Sequence, residues 1–367
     1  MTAYSFAPKG YDYHKPMKVR ATPQNNTVTL LPESLSKRKL PANFKEGELA
    51  LFSHELEKVI PETKLLELRN VRVSPDGILF KRGRMLPESF AFPANRANWG
   101  KRSLLKFFAA NYLLKKRRTL SQDVLWIVDD WSHGYFHWLA DAVPRLFVVK
   151  DHLNDLVLLL PSRYRDLEFV QSCLKAFGAE NVEFINHDEV LLCERLIMPA
   201  QTASSGNYHE EIIKRVREQL VGFYGSHSSS DRAERIYISR SRAPKRKILN
   251  EEELVASLKD FGFRTIHAED HSFEKQVQIA SAASHLISNH GAGLTNMLFM
   301  KPGSSVLEFR HMTDGVNNCY FALSSALGLN YYYQTCPSEN ADETFHTANL
   351  LVDIQTLAKN LKLMTGL

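Results

Sequence analysis

The sequence is poor in cysteine and has no long apolar run. Its four cysteines lie far apart with no CxxC pair, which excludes a disulfide framework or a cysteine zinc site and predicts buried free thiols: Cys173, Cys193, Cys319 and Cys336. The absence of about 18 consecutive apolar residues excludes a membrane-spanning helix. The first twenty residues carry positive charge but no apolar segment after it, so we expect no secretory signal and a cytoplasmic location.

Charge is unevenly distributed along an otherwise ordinary globular composition. The 367 residues are 44% hydrophobic and 24% charged, with a net charge of +5. Residues 1–150 contain 25 Lys and Arg against 14 Asp and Glu, a balance of +11, and the remainder contains 21 against 27, a balance of -6. The basic tracts leave nucleic-acid binding as an alternative function, although they do not follow a known recognition module: 35–40, 101–108 and 114–120.

Strand and helix patterns alternate after Asp123. Before it, short β-rich runs are separated by Pro, Gly and Asn at 27–31, 66–73 and 77–80. Strands are then predicted at 124–128, 156–161, 182–186 and 191–199, and helices at 163–178 and 208–224. The polar segment 225–234 predicts a linker. Beyond it, five strands separated by helices predict a parallel sheet, with strands at 235–239, 263–268, 285–289, 305–309 and 331–335. An amphipathic helix is predicted at 350–364.

The segment HGAG at 290–293 falls where a predicted strand gives way to a helix. Backbone N–H groups and the positive end of a helix favour a bound anion there, and the two glycines allow close approach of a phosphate. A plain strand–turn–helix connection is the alternative, because short glycine patterns are weak signals. Glu308 follows at the carboxyl end of the next strand, where open α/β sheets bind ligands. A carboxylate there can accept two hydrogen bonds from a ribose diol, and a capping or surface role is the alternative.

A basic loop leaves another strand at the same predicted sheet edge. Arg240 and Arg242 come first, and Lys245, Arg246 and Lys247 follow. Arginine presents a planar fork that suits phosphate oxygens. The loop is therefore a candidate clamp for a diphosphate facing the HGAG turn, with an ordinary solvated loop as the alternative.

A third cluster, WSHGYFHWLAD at 131–141, repeats polar side chains every four residues. A helix would place His133, His137 and Asp141 on one face. Three interpretations remain open: a metal site, core histidines bonded to backbone carbonyls, or a general base with an orienting neighbour. Pro144 is expected to end the helix after one or two turns.

Taken together, NHGAGLTNMLFMKPGSSVLEF, GYFHWLADAVPRL and YISRSRAPKRKILNEEEL resemble family 61 glycosyltransferases over about residues 125–334. The resemblance implies an α/β, GT-B-like fold with two facing Rossmann-like domains and a β-rich N-terminal extension. It implies inverting transfer from a nucleotide diphosphate-sugar without a metal or other cofactor. We expect a β-rich region at 1–120 that merges into the first domain, and an acceptor domain at 121–227. A donor domain is expected at 228–349, followed by a C-terminal helix at 350–367 that crosses back.

The resemblance also implies roles for individual residues. Asp141 is the first choice for the catalytic base and His137 the second, as base or as the group orienting Asp141. The donor-binding set is Arg240, Arg242, Lys245, His290, Gly291, Ala292, Gly293, Asn296 and Glu308. Residues expected to support the acceptor are His133, Tyr135 and Trp138.

The partners implied are a UDP-sugar and a glycan, glycolipid or polysaccharide acceptor, with no nucleic acid. We expect a bacterial-type member acting in capsule or polysaccharide biosynthesis, located in the cytoplasm and peripherally at the inner membrane face. Its basic first domain is expected to face an anionic acceptor or anionic lipid. A metal-dependent hydrolase built on His133, His137 and Asp141 is the remaining alternative.

Overall fold

A computed structural model describes residues 27–98, 100–225, 234–339, 345 and 347–367. The strands are β1 (Thr27–Leu31), β2 (Ser34–Lys37), β3 (Glu57–Ile60), β4 (Thr63–Val73), β5 (Leu79–Lys81), β6 (Arg84–Met85), β7 (Lys116–Leu125), β8 (Val157–Pro161), β9 (Val182–Ile185), β10 (Glu189–Pro199), β11 (Glu234–Ile238), β12 (Arg264–Ile266), β13 (Ala283–Asn289), β14 (Ser305–His311) and β15 (Asn330–Cys336). The α-helices are α1 (Lys101–Ala109), α2 (Tyr135–His137), α3 (Val143–Phe147), α4 (Glu168–Ala176), α5 (Glu210–Tyr224), α6 (Glu251–Asp260), α7 (Phe273–Ala282), α8 (Cys319–Leu327) and α9 (Ile354–Thr365).

Shorter helical segments connect these elements. Segments of π-helix cover Ala110–Leu114 and Trp138–Ala142. Segments of 3-10 helix cover Glu46–Leu51, Ser53–Glu55, Pro87–Ser89, Pro93–Asn98, Lys150–Asp155, Ser162–Tyr164, Ala268–Asp270 and Ala292–Phe299. In the part of the chain that the structure describes, no helix is both long enough and apolar enough to span a membrane.

The chain divides into two compact units whose bounds differ from the predicted domains. The first unit comprises residues 1–34 and 59–205, and the second comprises 35–58 and 206–367. The boundary therefore precedes α5, which packs on α7 and α8 of the second unit. The predicted linker at 225–234 falls almost wholly outside the described residues. The facing arrangement of two GT-B domains stays a prediction.

The first unit contains a mixed sheet that joins N-terminal strands to the strands of the predicted first domain. Its order is β6-β5-β4-β10-β7-β8-β9, with β1 also paired to β4. Strands β7, β8 and β9 run parallel, and β10 is parallel to β7. The long strand β4 pairs antiparallel with β10 along most of its length, so the N-terminal strands complete the sheet. Because β7 and β10 are parallel neighbours, the loops that follow them leave the same sheet edge.

The second unit confirms the predicted five-stranded parallel sheet. Its order is β12-β11-β13-β14-β15. The chain passes from β11 to β12 on one side and then crosses to β13 on the other side of β11. Ligands of open α/β sheets bind in the crevice at such a reversal, outside the carboxyl ends of the strands. The loops after β11 and β13 are those that begin at Ser239 and His290.

An N-terminal segment, residues 35–58, belongs to the second unit because its aromatic residue packs there. Phe52 is fully buried, with ring centroids 5.0 Å from Phe321 and 4.8 Å from Tyr333. The guanidinium of Arg310 lies 5.4 Å from its ring centroid. Packing between residues so far apart in sequence leaves no local signal, so sequence patterns assigned this segment to the first domain.

The four cysteines are free thiols, as predicted. Three of them are buried, and burial raises the pKa of each of these three thiols to about 12: Cys173, Cys193 and Cys336. Cys319 is partly exposed. Thiols held in the protonated form are poor nucleophiles, which fits a packing role for the buried three.

Candidate active site

In the first unit, a histidine, an aspartate and a serine form one hydrogen-bonded group. His137 Nδ1 lies 2.8 Å from Asp141 Oδ2, and Ser205 donates to the same oxygen at 2.8 Å. His137 ends α2, past the carboxyl end of β7, and Ser205 follows β10. The parallel pairing of β7 and β10 therefore brings together side chains 68 residues apart.

Exposure separates the two residues that were considered as the base. The Asp141 side chain is 3% exposed, whereas that of His137 is 24% exposed. Burial raises the pKa of Asp141, with the nearby Asp129 adding to the rise, while hydrogen bonds from His137 and Ser205 oppose it. Asp141 is thus buried beside the imidazole, and His137 is the more accessible member of the pair.

The turn before His137 is held by a buried aspartate. Asp129 Oδ1 accepts from the backbone N–H groups of Trp131 and Ser132 at 3.0 and 3.1 Å. This turn places the Trp131 ring 5.0 Å from His137 and 5.3 Å from Phe92. Trp131 and Phe92 remain 38% and 37% exposed, so an aromatic surface borders the imidazole.

Two expectations for this cluster are wrong. His133 lies in the exposed turn ahead of α2 and does not share a helical face with His137. Trp138 is fully buried, with its ring 5.7 Å from Tyr164, so it does not face an acceptor. Tyr135 packs on Phe169 and is partly exposed, and its role as an acceptor support stays a prediction.

The helix also continues past Pro144, which the sequence was expected to stop. The π-helical turn at Trp138–Ala142 leads into α3, with the proline in the first turn of α3, where a missing N–H costs little. Among residues in the described ranges, no group of three or more His, Cys, Asp or Glu side chains could hold a metal ion. The set His133, His137 and Asp141 therefore does not assemble as a metal site.

In the second unit, the basic loop and the HGAG turn meet at the sheet reversal, as predicted. A methyl group at Gly291 would lie 2.7 Å from Nη1 of Arg240, so glycine is required for this approach. Burial, followed by the charge of Arg246, lowers the pKa of Arg240. The Nε atoms of both arginines are buried without a hydrogen-bond partner. Within the described chain, neither guanidinium forms an ion pair.

The backbone of the basic loop is fixed beside the turn. Arg246 adopts φ 58°, a left-handed conformation that is uncommon outside glycine. The Asn289 side chain, at the end of β13, donates to the Arg246 carbonyl oxygen. Tyr320 donates from its hydroxyl to the Gly291 carbonyl oxygen at 2.6 Å. Asn289 of β13 and Tyr320 of α8 thus fix the backbone of the basic loop and of the HGAG turn.

Glu308 faces inward, which contradicts its predicted contact with a ribose. Its side chain is fully buried, its Oε1 lies 2.5 Å from His290 Nδ1, and its Oε2 accepts from Tyr331 at 2.5 Å. Burial acts to raise the pKa of Glu308, but His290, Arg310 and the Tyr331 hydroxyl outweigh it and lower the pKa. Asn317 Nδ2 lies 3.0 Å from His290 Nε2, so this imidazole is held on both sides.

The remaining members of the predicted donor set divide into surface and interior residues. Arg242 is exposed and pairs with Asp270 at 2.5 Å, and Lys245 is exposed. Asn296 is buried and donates to Gln276 and Gly293, so it does not face a ligand.

Within the HGAG turn, Ala292 is exposed, while Gly293 allows close packing. A methyl group at Gly293 would lie 3.0 Å from Ile238 Cγ2. The alternative that glycine serves packing thus holds for Gly293, and Gly291 serves the approach of Arg240.

Sequence patterns missed four residues of these two groups. Arg246 was noted only as part of the basic loop, and its signal would have been its position after a strand beside the glycine turn. Ser205 follows a strand parallel to β7, but the pairing of strands was not readable. Tyr331 and Asn317 had no local signal, because their contacts with Glu308 and His290 arise only from packing.

A comparison with known proteins finds a match for part of the chain. A family model described as Glycosyltransferase 61 matches residues 135–307, and this region is similar to that family. The matched region includes His137, Ser205, Arg240 and Gly291, and Glu308 lies just beyond its end.

Similar proteins carry glycosyltransferase names. Protein O-linked-mannose beta-1,4-N-acetylglucosaminyltransferase 2 of Takifugu rubripes is 38% identical over 108 residues, 28% of this chain and 18% of the relative. The Homo sapiens protein of that name is 36% identical over 107 residues, with the same two shares of 28% and 18%. EGF domain-specific O-linked N-acetylglucosamine transferase of Mus musculus is 32% identical over 99 residues, 26% of this chain and 18% of the relative.

These comparisons support the prediction of a glycosyltransferase enzyme. The matched segments span 18% of the length of each of these relatives. The relatives described are vertebrate proteins, so they give no support to the expected role in bacterial capsule or polysaccharide biosynthesis.

Glu308→Gln tests whether the buried carboxylate holds the second group together. Removing one charge from a buried, paired group leaves its partners uncompensated, and we expect a loss of about 3–5 kcal/mol in the free energy of unfolding at pH 7. Because the pKa of Glu308 is lowered, its ionised form contributes stability above the ordinary carboxyl range, and this contribution is lost as the pH falls through the lowered pKa. The free energies of unfolding of Glu308→Gln and wild type should therefore become more similar below about pH 4.

Urea unfolding as a function of pH measures this effect. Glu252→Gln, an exposed glutamate in the first turn of α6, is the matched control and should change stability by less than about 1 kcal/mol. A Glu308→Gln protein as stable as this control at pH 7 would contradict the assignment.

Proposed function

We propose that the protein transfers a sugar, with inversion, from a nucleotide diphosphate-sugar to a hydroxyl group of a glycan acceptor. The observation that carries this proposal is the pair Arg240 and Arg246 at the sheet reversal, one of them against Gly291. Among the described residues, neither guanidinium forms an ion pair with a carboxylate, and both Nε atoms are buried without a hydrogen-bond partner. Like charges held together and partly buried are costly in the free protein. A diphosphate supplies the missing negative charge, and two planar guanidiniums suit its oxygens.

The same pair supports transfer without a metal ion. The diphosphate gains negative charge as the bond to the anomeric carbon breaks, and positioned cations stabilise that charge in the transition state. We propose that Arg240 and Arg246 take this role. Their fixed loop, tied by Asn289, spares the cost of arranging them during the reaction.

We propose His137 as the general base and Asp141 as its positioning residue. Inversion is a single in-line displacement, so one base that takes the proton of the acceptor hydroxyl suffices. His137 is the accessible member of its group, and the buried Asp141 accepts from it. A carboxylate behind an imidazole fixes its tautomer and orientation and stabilises the imidazolium formed on proton uptake.

An acceptor sugar is proposed to stack on the aromatic surface of Trp131 and Phe92. Both rings are more than a third exposed, and Trp131 touches the imidazole that would receive the proton. Sugar rings carry apolar C–H faces, and exposed aromatic rings bury such faces favourably. The relatives' names specify N-acetylglucosamine, so UDP-N-acetylglucosamine is the first donor we propose to test.

Nucleotide binding tests the donor site. Thermal-shift and calorimetric titrations with UDP, GDP, CDP and ADP, with and without EDTA, should show stabilisation by UDP that EDTA leaves unchanged. Arg240→Ala and Arg246→Ala each remove a charge-assisted contact of about 1.5–3 kcal/mol, so we expect affinity to fall by about 10- to 100-fold.

Arg242→Ala is the matched control for those two variants, because its guanidinium lies in the same loop but is exposed and paired with Asp270. The affinity of Arg242→Ala for UDP should stay within about twofold of the wild-type affinity. No shift with any nucleoside diphosphate, or equal losses in all three variants, would overturn the donor site. Loss of the shift in EDTA would overturn metal independence.

Substitutions in the first unit separate the base from its positioning residue. His137→Gly should lower kcat by about 10²–10⁴-fold, as expected for loss of a general base, with nucleotide affinity unchanged. Release of UDP from UDP-N-acetylglucosamine, with a glycan acceptor or water, measures kcat. Because the imidazole site is partly exposed, added imidazole should restore part of the activity of His137→Gly.

Asp141→Asn should lower kcat without such rescue, since its buried position is closed to a small base. Ser205→Ala, which removes only one bond to Asp141, should cost less than about tenfold. Near-normal activity of both His137→Gly and Asp141→Asn would refute this assignment.

The aromatic surface predicts a change in acceptor KM. Trp131→Ala should raise the acceptor KM by about tenfold, while donor KM stays unchanged, because one stacking contact contributes roughly 1–2 kcal/mol. Phe223→Ala, an exposed aromatic residue on α5, is the control and should alter neither constant. A Trp131→Ala effect confined to donor KM would contradict the acceptor role.

A further inference from the structure

The outer face of α1 and the following π-helical turn combines exposed leucines with unpaired cations. Leu105, Leu113 and Leu114 are 71%, 78% and 82% exposed, among the highest values for apolar residues in the described chain. The opposite face packs inward on the core around Phe80 and Phe107. The exposed leucines are therefore not needed to hold the helix in place.

Cations share this face with the leucines. Five exposed residues of this segment lie on one side of a helix, because their positions follow helical spacing: Arg102, Leu105, Lys106, Ala109 and Leu113. Within the described residues, Lys101, Arg102 and Lys106 form no ion pair. No Asp or Glu occurs from residue 101 to residue 122.

A neighbouring turn extends the positive charge. The backbone N–H of Gly83 donates to the Tyr112 hydroxyl at 3.3 Å, so the β5–β6 turn borders this helix. That turn carries Arg82 and Arg84, which are both exposed. The surface thus has apolar side chains surrounded by cations, on the half of the chain that carries the +11 balance.

We infer that this surface, Arg102, Leu105, Lys106, Ala109, Leu113 and Leu114 with the flanking Arg82 and Arg84, binds the interface of an anionic lipid bilayer. A helix lying in the membrane plane buries leucines at the boundary of the acyl chains while its cations contact lipid phosphates. A nucleic acid would satisfy the cations but leave three leucines in water. An acidic protein could meet both needs, and the experiment distinguishes that case.

The test is co-sedimentation of the full chain with phosphatidylcholine vesicles, with and without phosphatidylglycerol, at low and high salt. Wild type should bind only the anionic vesicles, and salt should weaken binding. Arg102→Gln with Lys106→Gln should lower the partition coefficient by about 25-fold, at about fivefold per cation. Leu105→Ser with Leu113→Ser should lower it by at least about tenfold at equal charge.

The matched control lies on α9, where Lys359→Gln with Leu363→Ser alters an exposed cation and a leucine that is 57% exposed. This control should bind as wild type does. All variants should keep the wild-type melting temperature and UDP affinity, so the result is independent of the proposed enzyme activity.

Three outcomes would overturn the inference. The first is that wild type does not bind anionic vesicles at low salt. The second is that the leucine variant binds as well as wild type, which would show that the leucines do not insert. The third is a drop in the sedimentation mass of the lipid-free protein when the leucines are substituted, which would make this face an interface between protein molecules.

Discussion

The contact between the Arg240 guanidinium and the unsubstituted backbone of Gly291 is the constraint on which the second unit's site depends. It requires β11 and β13 to be parallel neighbours, since only then do their following loops leave one sheet edge. It requires glycine at 291, because a methyl group there would lie 2.7 Å from the guanidinium. It also brings together two positive charges that pair with no carboxylate in the described part of the chain, an arrangement that favours a dianionic ligand.

Both units use the same pairing of an imidazole with a buried carboxylate. His137 lies in front of Asp141, and His290 lies in front of Glu308. The two histidine side chains differ in exposure, at 24% and 12%. Asn317 engages the second nitrogen of His290, whereas the ring of His137 lies beside the exposed ring of Trp131. The more open pair suits proton transfer, and the closed pair suits holding the HGAG turn.

Residues 27–98 contribute to both units instead of forming one extension. Strand β4 completes the mixed sheet by pairing with β10, while residues 35–58 pack through Phe52 into the second unit. Short β-rich runs indicate strands, but they do not indicate which distant strand each will pair with. Helix α1 follows, and its outer face carries exposed leucines and cations.

The sequence alone determined the five parallel strands of the second unit, the meeting of the basic loop with the HGAG turn and the family 61 resemblance, because these follow from local periodicity and from motifs contiguous in the chain. Tertiary structure decided which carboxylates face ligands. The sequence predicts Glu308 as a ribose contact and Asp141 as the first choice for the base, yet strand and helix packing turns both inward behind a histidine. Tertiary structure also decided the partners Ser205, Asn317 and Tyr331, whose contacts depend on strand order and side-chain packing rather than on neighbours in sequence.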